Sequence, residues 1–322
     1  MPGPGTSSSH GFEGDRPAGE GLGRRLFPCL AHRRPASLPL PRGPVGPTRY
    51  DHSAMEMNAT YNSFVAVGDS FTEGMSDLLP DGSYRGWADL LAARLAALTP
   101  DFRYANLAVR GKLIGQIVDE QVDLAAAMKA DVVTLVGGLN DTLRPKCDMG
   151  RVRGLLEEAV ERLAPACGQL VLMRSPGRNG PVMKRFRPRM EELFRYVDEL
   201  AARHGALVVD LYGAEVMGDP RLWDLDRLHL TSEGHRRVAE AVWQALGLEP
   251  REDWLAPLPP AVPAAWSARR IGDVRFARQH LGPWIARRLT GRSSGDGRPA
   301  KRPELLPYLL DGETSPSRPS PS

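Results

Sequence analysis

Five short runs of consecutive apolar residues constrain the fold of this chain more than any other feature. They are Ser63 to Val67, about Arg103 to Ala108, Ala130 to Val136, Gln169 to Met173 and Ala206 to Leu211. A strand with one wet face alternates polar and apolar residues. Runs rich in Val and Leu without that alternation are covered on both faces, as central strands of a parallel sheet are. Between them lie helical patterns at about Trp87–Ala97, Leu113–Met128, Met149–Leu163, Arg187–His204 and Ser232–Ala245. Strict alternation of strand and helix implies right-handed crossovers and a three-layer α/β/α fold around a five-stranded parallel sheet. The flavodoxin-like strand order 2-1-3-4-5 is expected, and such sheets take ligands beyond the carboxyl ends of their strands.

Of the 322 residues, this pattern occupies about 58–250, a single domain of ordinary size. Residues 1–57 hold nine Pro and nine Gly with few large apolar residues, too little to offset the entropy of ordering, so disorder is expected there. Met55 and Met57 stand just before the first strand and point to a translation start at that place, the upstream stretch being mis-assigned. After Leu248 come Pro250, Pro257, Pro259, Pro260 and Pro263, then a basic helical pattern around Asp273 to Leu289, then a Ser, Gly, Pro and Arg-rich stretch from Gly291 that reads as a tail. The formal net charge of +3 hides a division: residues 58–264 carry −5, while 1–57 carry +2 and 265–322 carry +6. The basic C-terminal extension, residues 251–322, is therefore expected to fold back on the acidic domain as a lid.

Several classes of protein are excluded. No run approaches the roughly 18–20 apolar residues of a membrane span. Cys29, Cys147 and Cys167 are odd in number and lack CxxC spacing, so they read as idle thiols in a reducing compartment. The apolar run after Arg24 and Arg25 stops at Pro28, short of the roughly 7–15 residues of an export signal, and a cytoplasmic location is expected. No phosphate loop or dinucleotide fingerprint occurs, His229 and His235 fit no common zinc spacing, and neither cofactor nor metal is expected.

The polar residues that follow the strands carry the chemistry. Gly68-Asp69-Ser70-Phe71-Thr72-Glu73-Gly74 follows the first run. Ser70 stands where a nucleophile would, although serine at such a junction is also a common helix cap. Position 72 is Thr, so the G-x-S-x-G elbow is absent. The second run leads to Gly111 and the third to Gly137-Gly138-Leu139-Asn140-Asp141. Gly111 and Asn140 are ordinary turn residues, yet both fall on the sheet edge that carries Ser70. The N–H groups of Ser70 and Gly111 and the Asn140 amide would supply three neutral donors to one oxyanion, each typically worth about 10²–10³ in rate. Before the last helix stand Asp226 and His229, three apart, close enough for the carboxylate to meet Nδ1 and leave Nε2 as a base. A solvated loop Asp and a helix-entry His would look the same in sequence.

Taken together, the four blocks resemble the SGNH, or GDSL-type, hydrolase superfamily over about residues 62–247. The GDS block falls at Asp69 and Ser70, the block glycine at Gly111, the G-x-N-D block at Gly138 to Asp141 and the D-x-x-H block at Asp226 to His229, with Phe71 in place of the nominal Leu. The glycine-rich third block and the Arg/Pro-rich extension look most like actinobacterial cytoplasmic members. The resemblance implies a serine esterase acting on a small-molecule acyl ester through an acyl-Ser70 intermediate. Catalysis would fall to Ser70, Asp226 and His229, and the oxyanion hole to Ser70, Gly111 and Asn140.

Thioesterase or lysophospholipase activity would use the same residues. A catalytically idle module is the reading of another class: Arg269, Arg270, Arg275, Arg278, Arg287 and Arg288 could bind an anionic surface or nucleic acid. The intact set of site residues speaks against it, and no nucleic-acid partner is expected. The run Lys184-Arg185-Phe186-Arg187-Pro188-Arg189 reads as a solvated helix start or as a basic rim for an anionic substrate.

Overall fold

The computed structural model describes residues 60–176, 181–260 and 295–309, all within the unit Glu56–Ser322. The N-terminal stretch 1–57 falls outside these residues, and so do the arginines 269–288 with the helical pattern around them.

In chain order the elements are β1 (Ser63–Gly68), α1 (Ser70–Glu73), α2 (Gly86–Ala96), β2 (Arg103–Asn106), α3 (Ile114–Ile117), α4 (Asp123–Met128), β3 (Val132–Val136), α5 (Leu139–Thr142), α6 (Met149–Leu163), β4 (Gln169–Arg174), α7 (Pro181–Lys184), α8 (Arg187–His204), β5 (Leu207–Asp210), α9 (Ser232–Ala245) and β6 (Arg302–Pro307). The sheet order is β5-β4-β3-β1-β2-β6. Its first five strands are parallel and follow the expected order 2-1-3-4-5, read from the other edge.

Alternation along each strand builds two cores. Phe64 and Ala66 of β1 face α2 and α9, where they meet Trp87, Leu91, Val238 and Val242. Val65 and Val67 face the opposite layer and meet Ile117, Leu156, Leu193 and Leu200. Both faces of β1 are therefore dry, which is why the strand shows no polar alternation. Local signals end the helices as capping chemistry requires: Asp148 accepts from Arg151 N–H (3.0 Å) at the start of α6, and Gly205 closes α8 at φ +66°.

Two expectations need correction. The pattern Leu113–Met128 predicts one continuous helix, but α3 and α4 are joined by a π-helical turn, Val118–Val122. In that widened turn lies the buried Gln121, whose amide faces the backbone of Gly68: Oε1 accepts Gly68 N–H and Nε2 donates to Gly68 O, both at 2.9 Å. Periodicity of apolar residues does not register a polar group with a buried backbone partner. The sheet also has six strands, not five. The sixth, β6, pairs antiparallel with β2 (Arg103 with Pro307, Tyr104 with Leu306) and comes from the stretch read as tail. Its two prolines argue against a central strand but are compatible with an edge strand.

The extension reaches the domain elsewhere too. Arg237 of α9 donates to the carbonyls of Trp254 and Ala256 (2.7 Å each), and Trp254 Nε1 donates to Gln244 Oε1 (2.8 Å). Burial raises the thiol of Cys147, and that of Cys167 to about 11, so both stay in the unreactive thiol form. Among the described residues no helix is long and apolar enough to cross a membrane.

Replacing Gln121 by Leu leaves the Gly68 N–H buried without its acceptor. A loss of about 1–3 kcal/mol is expected, to be measured by urea unfolding.

Candidate active site

The carboxyl ends of β1, β3 and β4 and the loop before α9 converge on a cavity of about 60 Å³. Its lining includes Ser70, Asn140, Ser175, Trp223, His229 and His235.

Gly68 sets the first block. A Cβ there would lie 2.6 Å from Thr72 Oγ1 and 2.7 Å from Val136 O, so only glycine lets β1 turn this tightly into α1. Asp69, not Ser70, is the N-cap: its Oδ1 accepts Phe71 N–H at 3.1 Å. Ser70 is thus the first helical residue, half-buried and not engaged as the cap.

The Asp226–His229 pair is made by a small hairpin. Trp223 bridges Leu230, Asp224 N–H donates to His229 O (2.9 Å), and Arg227 turns the chain at φ +56°. Asp226 Oδ1 accepts the N–H groups of Leu228 (2.9 Å) and His229 (3.0 Å). Its other oxygen stands 2.6 Å from His229 Nδ1. Burial pushes the Asp226 carboxyl up, but the imidazole and the two N–H groups outweigh it and the net shift is downward. An ionised Asp226 holds the proton on Nδ1 and leaves Nε2 as acceptor.

Asn140 lies in α5, which opens at Gly138 with φ +88°. Its Nδ2 donates to Asp69 Oδ2 (2.8 Å) and to Lys112 O (3.1 Å). Asp141 Oδ2 accepts Ile114 N–H (3.0 Å), which ties the third block to the second. Gly111 occupies a left-handed turn at φ +73°, next to the Lys112 carbonyl that holds Asn140. Among the expected residues, Ser70, Asn140 and His229 line the cavity, whereas Gly111 and Asp226 do not. Asp226 sits behind His229, and Gly111 belongs to the turn beside Asn140.

Two residues of the site escaped the sequence reading. Asp69 is buried and orients Asn140; burial raises its carboxyl to about 6, although the Phe71 N–H and the nearby His229 oppose the shift. Its place inside the nucleophile block was the available signal. His235 accepts from Trp87 N–H through Nδ1 (3.3 Å) and meets Met75 O through Nε2 (3.0 Å). Burial lowers its pKa to about 4, so it is a neutral wall of the cavity with both ring nitrogens engaged by backbone. Among the described residues no group of three or more His, Cys, Asp or Glu is placed to hold a metal ion. The basic run after β4 serves α8: Arg187 meets Tyr212 and Glu191 (3.2 and 3.1 Å), and Arg189 donates to Arg144 O (2.8 Å).

The chain belongs to the GDSL-like lipase/acylhydrolase family, whose model matches residues 66–237, more than half of its length. It is a carboxylic ester hydrolase. Among solved structures it is similar to a catalytic mutant of an acetylxylan esterase from Geobacillus stearothermophilus, at 21% identity and TM-score 0.51, over 58% of this chain and 95% of that one. A second, an α/β hydrolase from the metagenome of Lake Arreo, Spain, shares 25% identity at TM-score 0.48 over 58% and 95%. The first likeness concerns the fold. No curated protein matches the chain.

Asp69 yields a pH prediction. Its folded pKa lies above the ordinary 3.8, so the unfolded carboxyl ionises first as pH rises. Stability is then lost between about pH 4 and 6 and level above 7. The difference between 3.8 and about 6 corresponds to about 3 kcal/mol. Asp69→Asn removes this slope, and urea unfolding of both proteins from pH 4 to 7.5 checks it. Parallel profiles would contradict the assignment.

Proposed function

We propose that the enzyme cleaves short-chain carboxylic esters through an acyl-Ser70 intermediate. The observation that carries this reading is one cavity lined by Ser70, Asn140 and His229, with Asp226 2.6 Å behind the imidazole. His229 Nε2 takes the Ser70 proton as Oγ bonds to the ester carbonyl carbon, and the carbonyl electron pair moves onto oxygen. The oxyanion is met by the N–H groups of Ser70 and Gly111 and by Asn140, whose longer bond to Lys112 O is the one to be shared. Collapse breaks the ester C–O bond, and the leaving alkoxide receives the proton from His229. Water then attacks the acyl-serine with His229 as base again, releasing the acid and restoring Ser70.

Cavity size supports the substrate class. A space for a water-sized group takes about 10–15 Å³, so about 60 Å³ admits a handful of heavy atoms. That matches an acetyl or slightly longer acyl group, held against Leu139, Leu143 and Trp223. The sparse, idle cysteines support placing the reaction in the cytoplasm.

A p-nitrophenyl ester series should show highest kcat/KM for acetate to butyrate and a steep fall by decanoate. Ser70→Ala should abolish turnover and labelling by a fluorophosphonate. Asp226→Asn should lower kcat by about 10⁴, through loss of the tautomer, and Asn140→Ala by about 10²–10³. Retained turnover in Ser70→Ala would rule out the acyl-serine route.

A further inference from the structure

Residues 295–307 lie beyond the family match, which ends at 237, yet they bear on the active-site side of the sheet at three points. The first is Lys301. Its largely buried ammonium shares its three protons among four acceptors, Glu73 O (2.6 Å), Arg85 O (2.6 Å), Asp89 Oδ2 (2.7 Å) and the more distant Tyr84 O (3.1 Å). Glu73 ends the helix that Ser70 opens, and Arg85 precedes α2. At that joint Gly74 (φ +95°) meets Gly86 (φ +81°) backbone to backbone, and a Cβ on Gly86 would lie 2.2 Å from Gly74 Cα. Lys301 gathers the carbonyls that this approach turns toward one another.

The second point is Gly295, which is buried. A Cβ there would fall 2.0 Å from the Arg110 carbonyl oxygen. Arg110 is gripped from the other side by the Glu73 carboxylate, which accepts its backbone N–H (2.6 Å), its Nε (2.9 Å) and its Nη2. The third point is β6 itself, paired along β2, the strand that leads into this turn. The Arg110 N–H is thus held by the Glu73 carboxylate, the Arg110 carbonyl packs against Gly295, and the Glu73 backbone carbonyl accepts from Lys301. The next two residues are Gly111 and Lys112, whose carbonyl holds Asn140 (3.1 Å).

We propose that the segment 295–307 is a positioning element of the hydrolase site, in which Gly295 and Lys301 hold the Arg110–Lys112 turn and, through it, the Gly111 N–H and the Asn140 amide. This rests on the oxyanion reading given above. A displacement of about 1 Å in such a turn costs about 100-fold in rate, while ground-state binding in the cavity, which neither residue lines, is left alone.

The test uses the full chain with p-nitrophenyl acetate, comparing Lys301→Met, Gly295→Ala, Asn140→Ala and the exposed-strand control Glu304→Ala. Folded fraction is followed by circular dichroism at the assay temperature, and Gly295→Ala serves if Lys301→Met does not fold. The expected result is a fall in kcat of about 10- to 100-fold for Lys301→Met and Gly295→Ala, with KM within about twofold. Affinity for an alkyl trifluoromethyl ketone, whose adduct places an oxyanion in the hole, should fall by a similar factor, with Glu304→Ala unchanged. If Asn140→Ala lowers kcat but both folded extension variants keep it within about twofold, the positioning role is overturned while the oxyanion reading stands. If Asn140→Ala leaves kcat unchanged, the oxyanion reading fails and takes the inference with it. Activity lost only in proportion to folded protein also overturns the inference, since the role is then structural.

Discussion

Gly68 joins the sheet to the chemistry through two hydrogen bonds from one side chain. Gln121 gives it the pairing a neighbouring strand would give, an acceptor for its N–H and a donor for its carbonyl, both at 2.9 Å. The same glycine has Thr72 and Val136 at distances no Cβ tolerates. Backbone hydrogen bonding and close packing thus fix the last residue of β1 before Asp69 and Ser70 begin. A buried amide that satisfies both groups at once contributes direction as well as stability, because its alternatives leave polar atoms without partners. Asp69 and Ser70, at the start of α1, follow directly from that point.

Asp69 illustrates how the site tolerates an unfavourable group. A carboxylate in this buried place is costly, as its raised pKa records, but its two oxygens are divided between the cap of α1 and the amide of Asn140. Capping and orientation are thereby served by one residue. The His229 partner, Asp226, is treated in the opposite way: two N–H groups and the imidazole favour its charge. The two carboxylates differ in environment, one holding the Asn140 amide and the other the His229 imidazole.

The sheet order, its layers and the ends of α6, α8 and α9 were legible because each rests on a local pattern: apolar runs in strands, amphipathic faces in helices, and polar blocks at strand ends. Ser70, Asn140 and His229 were legible as cavity residues for the same reason, since topology alone delivers strand ends to one edge. What stayed hidden depends on contacts between distant parts of the chain. Gln121 looks like any polar residue in an amphipathic helix, and the place of Asp69 in the Gly-Asp-Ser block gives no sign that its carboxylate turns to Asn140. Lys301 sits in a basic stretch whose composition resembles a solvated tail. The prolines of β6 concealed a strand because only its place at the edge makes them acceptable. Charge did carry one long-range message: the extension meets the acidic domain where Lys301 pairs with Asp89 (2.7 Å), although none of its described residues lines the cavity as a lid would.

The antiparallel pairing of β6 also bears on how little of the chain can stand alone. A chain cut at residue 250 keeps every residue of the family match and every candidate catalytic group, yet it leaves β2 as an open border. Phe102 and Tyr104 are almost wholly buried beside that border, and Tyr308 N–H donates to the Phe102 carbonyl (2.8 Å). Uncovered strand borders recruit strands from other molecules. The opposite border, β5, is only four residues long, and its Asp210 pairs with Arg174 (3.2 Å). A shortened enzyme would therefore be sticky on one side only, and self-association, more than loss of fold, would limit its use.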